Sequence, residues 1–171
     1  MDDFDSGLTC GERLLLCGLR VMAADATCVD LRPSFERACG CAGPAAFRAL
    51  EAFVQQLRIH GRRRIAVAPP SAAPPTADEA LVLEAFACAQ ADDYQGLDAR
   101  LARLTGDEPP GALGAAACLV AEAFGMSGLV LPVRISAGWP TRRPAAPPPS
   151  VRPPPPPHGH ARWLARTSGA C

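Results

Sequence analysis

The sequence predicts an all-α domain, a compact bundle of five or six helices, followed by a disordered proline-rich tail. Three observations carry this. The chain is rich in alanine and only 5% aromatic, which suits helices packed on small side chains better than sheets of β-branched residues. Between positions 1 and 133, apolar residues recur at helical spacing between capping residues and glycines. From Arg134 that periodicity stops, and the proline runs at 147–149 and 153–157 favour polyproline II with nothing to bury. The expected organisation is a helical domain over 1–133 and a tail over 134–171.

The first helix starts at Thr9-Cys10-Gly11-Glu12, the spacing of a capping box, and runs to about Ala24 with Leu15, Leu19 and Met22 on one face. Asp30 is the expected cap of a short second helix that accepts Pro33 in its first turn, buries Phe35 and stops at Gly40. Pro44 opens a third, where Phe47, Leu50, Val54 and Leu57 form a stripe before Gly61. A second capping box, Thr76-Ala77-Asp78-Glu79, begins a fourth helix that places Leu83, Phe86 and Ala87 on one side and ends near Asp92. Leu97, Leu101 and Leu104 align in a fifth, closed by Gly106. Pro110 opens a sixth with Leu113, Ala117, Val120 and Phe124 inward, closed by Gly125 and Gly128. Two brief extended stretches, 65–68 and 129–133, are of a length to pair as a minimal two-stranded element, although Pro132 opposes it.

The chain contains no lysine and no asparagine, and all 17 of its basic residues are arginine. That pattern reflects a coding bias, so an arginine or proline cluster carries less functional weight here than in a balanced sequence. Formal charge sums to zero, which removes any global field steering the protein to nucleic acid or an anionic membrane. The start, Met1-Asp2-Asp3-Phe4-Asp5, is acidic where a secretory signal is basic, and the apolar run over 14–22 is broken by Arg20 and too short to span a bilayer. A cytoplasmic protein with no membrane partner is expected. Its eight cysteines are then free thiols, with Cys17, Cys88 and Cys118 acting as small buried hydrophobes.

Each candidate chemistry competes with a structural explanation. Cys39 and Cys41 are two close thiols of the kind that metal and redox centres use, but no second pair of ligands stands at zinc spacing, so a structural role at a helix end is preferred. His158, His160 and Cys171 lie in a tail that cannot preorganise ligands. Arg62, Arg63 and Arg64, with His60 beside them, suit phosphate binding, yet cations after a helix C-terminus also offset its dipole. The segment 76–104 has a helix-turn-helix outline with Arg100 and Arg103 on the second helix, but that helix gives three leucines to packing. Asp92-Asp93 is read as a solvated turn rather than a cation site, and Pro144 to Pro147 has minimal proline-recognition spacing with no flanking arginine at the place an oriented ligand needs. No nucleophile–base pair, carboxylate pair or phosphate cradle is present, so no catalytic residue is assigned and no cofactor is expected.

Glu12-Arg13-Leu14-Leu15-Leu16 with Arg20 and Met22, then Ile65-Ala66-Val67-Ala68-Pro69, then Glu79-Ala80 and Leu83, resemble a family of small, mainly helical bacterial proteins of unknown function over roughly 11–128. Some members of that family carry cysteines just after the Ala-Pro step, where this chain has Pro70-Ser71-Ala72-Ala73. A thiol role of that loop does not carry over. The expectation is a small cytoplasmic protein-interaction or regulatory module that self-associates or binds another protein. A DNA-binding regulator using Arg100 and Arg103, and a metal- or ligand-binding protein or enzyme of unknown reaction using Cys39 and Cys41 or a pocket that the sequence does not reveal, are the alternatives.

Overall fold

A computed structural model describes residues 7–24, 30–72 and 74–134. Among them lie six α-helices: α1 (Cys10–Ala23), α2 (Arg32–Cys39), α3 (Gly43–His60), α4 (Ala77–Gln90), α5 (Tyr94–Thr105) and α6 (Gly111–Met126), with a single 3-10 turn at Gly40–Ala42. The proline-rich tail from 135 onward, Cys28, Cys171, His158, His160 and the Pro144 to Pro147 motif lie outside the described residues.

Both capping boxes form. Thr9 accepts the Glu12 amide while the Glu12 carboxylate accepts the Thr9 amide, and Thr76 and Glu79 repeat the exchange on α4. Each satisfies two amides that a helix start otherwise leaves open. Asp30 accepts the Arg32 amide at the start of α2, Asp93 accepts the Gly96 amide at the start of α5, and α5 stops at Gly106 in the left-handed region, where glycine carries no side-chain penalty.

α3 lies along α6 as the central pair, α2 packs on α3, α4 packs on both α5 and α6, and α1 crosses α3 and touches α4. Phe35 bridges α2 to the centre, meeting Phe47 at 5.5 Å and Phe124 at 6.2 Å, and Phe53 meets Phe86 at 4.7 Å. The sequence suggests a one-sided α4, but every residue from Glu79 to Ala89 is buried. A helix apolar on all sides belongs in the middle of its bundle, and α4 is held there by α5, α6 and α1.

No strand forms among the described residues, which corrects the expected two-stranded pair. The two extended stretches do not meet because each is bonded to helix caps. In the first, the Ala66 amide donates to Asp78, the Ala68 amide to Glu79, and the Ala66 carbonyl accepts from the Thr76 hydroxyl. In the second, Leu131 donates to the Gln90 side chain, Leu129 accepts from it, and Val130 accepts from the Thr9 hydroxyl. Backbone groups that a partner strand would satisfy are taken by side chains instead. The order of longer helix, short helix, long helix and extended stretch thus occurs twice, and each stretch covers the N-terminus of the helix that opens the other half.

Candidate functional site

Two buried carboxylates organise the ends of these halves. Glu79 is fully buried and takes a two-pronged contact from Arg20, Nε to Oε1 at 2.7 Å and Nη2 to Oε2 at 2.9 Å, while Arg20 also donates to the Ala72 carbonyl. Burial works against its ionised form, but Arg20 and the Thr76 and Ala68 amides prevail, so its pKa lies below the usual carboxylate value. Glu12 is 2% exposed and receives Arg134 at 2.9 and 3.0 Å. These pairs fix the loop 65–72 and the stretch ending at Arg134 to α4 and α1.

The arginine triplet is largely engaged within the fold. Arg62 meets Asp107 at 2.6 Å in an exposed pair, and Arg63 grips Asp78 at 2.6 and 3.2 Å while its Nε donates to the Arg103 carbonyl. The Arg63 hydrogen bond holds the Asp78 carboxyl below its ordinary pKa, against burial and with help from the Ala66 amide. Arg64 is exposed and has no partner among the described residues. His60 is exposed at the end of α3. Of the residues expected on a DNA-reading helix, Arg100 bonds Glu84 and the Gly96 carbonyl, whereas the Arg103 side chain is exposed.

Cys39 and Cys41 do not present a shared site, since Cys39 is buried and Cys41 is exposed. Burial pushes the Cys39 thiol up, partly offset by its hydrogen bond with Ser127. Among the described residues no group of three histidine, cysteine or acidic side chains is placed to hold a metal ion. Cys88 is buried as expected and Cys118 half-buried, but Cys17 is exposed on α1, a correction to its expected place in the core. Its helix turns Leu15, Leu16 and Leu19 inward and leaves Cys10 and Cys17 on the outer face. Asp92 and Asp93 act locally: Asp93 caps α5, and Asp92, at φ 55°, accepts the Tyr94 hydroxyl and pushes the Tyr94 pKa up.

Three features were not visible to sequence reasoning. An open groove of about 410 Å³ lies where the C-terminal ends of α1 and α3 meet the arginine triplet, floored by Leu19, Val54, Leu57 and Ile65 and rimmed by Arg58 and Arg62 to Arg64. A second hollow of about 380 Å³ lies between α4 and α6, lined by Gln90, Asp92, Tyr94, Cys118 and Glu122. The third is the outer face of α6, where Ala112, Ala115, Leu119 and Met126 are exposed and Glu122 is the one charge. A groove assembled from distant segments leaves no local pattern, and the α6 sequence is apolar enough to hide which side is solvated. Among the described residues no helix is long and apolar enough to cross a membrane. No family model matches the chain, and no curated protein or solved structure matches it.

Proposed function

We propose that this chain is a small protein-interaction module that works by self-association. The observation that supports it is the outer face of α6, where Leu119 is 57% and Met126 71% exposed with alanines along the same side. Exposed apolar side chains in water are unfavourable, and covering them against a partner removes about 25 cal/mol per Å² of that cost. A cytoplasmic setting belongs to the same reading and accords with the free thiols of the described cysteines. The test is sedimentation velocity of the full chain over a concentration series, beside a Leu119→Arg, Met126→Arg double variant. Self-association that the variant abolishes, with helical circular dichroism unchanged, is the expected result. A monomer at every concentration overturns the proposal.

A further inference from the structure

The groove between α1 and α3 has a composition that selects its occupant. Its floor is apolar, from Leu19, Val54, Leu57 and Ile65, and four arginines, Arg58 and Arg62 to Arg64, stand around it. Asp78 and Asp107 answer the charges of Arg63 and Arg62, and Arg64 on the same rim is exposed and unpartnered among the described residues. The floor presents little free surface, since Leu19, Val54 and Leu57 are each less than a tenth exposed. Such a floor does not enclose most of a small ligand, as binding pockets do. It suits a chain segment that lies across it, inserts one large apolar side chain and sets carboxylates against the arginines.

Residues 1–6, Met1-Asp2-Asp3-Phe4-Asp5-Ser6, have that chemistry: three carboxylates around one phenylalanine. The tail beyond 134 has the opposite character, with Arg142, Arg143, Arg152, Arg162 and Arg166 and no acidic residue. Reach decides which copy supplies the segment. Gly7 is tied to the N-terminal end of α1, because its carbonyl accepts from Arg134, which also grips Glu12. The 14 residues of α1 carry the chain roughly 20 Å from there to Ala23 at the groove, whereas the three steps from Gly7 back to Phe4 span at most about 10 Å. A segment supplied by a second copy is under no such limit of reach.

We infer that the groove receives the N-terminal segment of a second copy, with Phe4 on the apolar floor and Asp2, Asp3 and Asp5 against Arg64 and its neighbours. This rests on the self-association proposed above and adds a second contact to the α6 face, made by the groove and the segment that fills it. Because the contact is ionic at its rim, the association weakens with salt.

The experiment is sedimentation velocity of the full chain at low and high salt, with Phe4→Ala and Arg64→Glu as single variants and Arg64→Glu combined with Asp3→Arg. A synthetic peptide of residues 1–7 is added as competitor, with its Phe4→Ala form as control. Each single variant is expected to weaken association about tenfold, the scale of one hot-spot contact. The charge exchange is expected to recover it, and the peptide, but not its control, to dissociate the assembly. Arg64 is exposed, so the circular dichroism of its variants should match the parent. If the chain associates but neither variant nor peptide changes it, while Leu119→Arg with Met126→Arg does, the groove assignment fails and self-association stands. If the peptide binds a chain that stays monomeric, the groove takes acidic segments of another protein and the second-copy assignment is overturned. If nothing associates and no peptide binds, both readings fall.

Discussion

Replacing Arg20 by methionine removes the charge facing Glu79 while keeping an apolar stem of similar length. Glu79 is 0% exposed and Arg20 6%, and the guanidinium supplies two of the contacts to the carboxylate, the Thr76 and Ala68 amides the others. Leaving a buried carboxylate without its counter-ion costs about 3–5 kcal/mol, a large part of the roughly 5–15 kcal/mol that holds a domain together. In urea, at about 2 kcal/mol per molar, the unfolding midpoint should fall by about 2 M. The pH dependence makes the prediction sharper. In the parent chain the Glu79 pKa is lowered in the fold: burial opposes ionisation, and Arg20 and the two amides outweigh it. Its contribution is present above the unfolded value of about 4.3 and is lost as pH falls through the lower folded value. Without Arg20, burial prevails and the folded pKa rises, so acid relieves the variant while it weakens the parent. The stability gap is therefore widest near neutrality and narrows toward pH 4. Adding Glu79→Gln to Arg20→Met removes the orphaned charge and should recover much of the loss. Urea titrations followed by circular dichroism at several pH values measure all three chains. A loss under about 1 kcal/mol, or a gap that does not change with pH, would refute the reasoning.

Two further predictions concern packing and thiols. Gly18 faces Leu50, where an added Cβ would lie 2.6 Å from Cδ2 and 3.4 Å from the Phe35 ring, with both neighbours fully buried. The crowding from Gly18→Ala, about 1–3 kcal/mol, should exceed the gain in helix propensity of about 1 kcal/mol and lower the melting temperature. A variant as stable as the parent counts against the close approach of α1 and α3. Iodoacetamide with peptide mapping should label Cys10, Cys17 and Cys41 in the native protein and leave Cys39 and Cys88, both buried with raised pKa, until it unfolds. Early labelling of Cys88 would contradict the central position of α4.

The helices were legible because their signals are local. Thr9 with Glu12 and Thr76 with Glu79 form their capping boxes wherever the helices end up, and Gly61 and Gly106 stop α3 and α5 for the same reason. Cys17 and α4 were misplaced because neither has a local signature of its surroundings: Cys17 sits in an apolar run yet faces outward, and α4 seemed one-sided until α5, α6 and α1 enclosed it. Extended stretches at 65–68 and 129–133 were expected as well, but their partners were not, since pairing depends on what stands opposite. The candidate site was less legible still. Arg62 to Arg64 attract attention in the sequence, while the acids that occupy two of them, Asp78 and Asp107, come from distant positions.

By itself, then, the sequence determined where helices begin and stop and that apolar faces suffice for a helical domain, because capping and periodicity act within a turn or two of chain. Only the tertiary structure decided that Arg20 and Arg134 would hold Glu79 and Glu12, that α4 would be enclosed, and that an open groove with an arginine rim would remain at the ends of α1 and α3. Ion pairing, enclosure and surface shape depend on contacts between residues far apart in the chain, and those contacts exist only once the helices have packed.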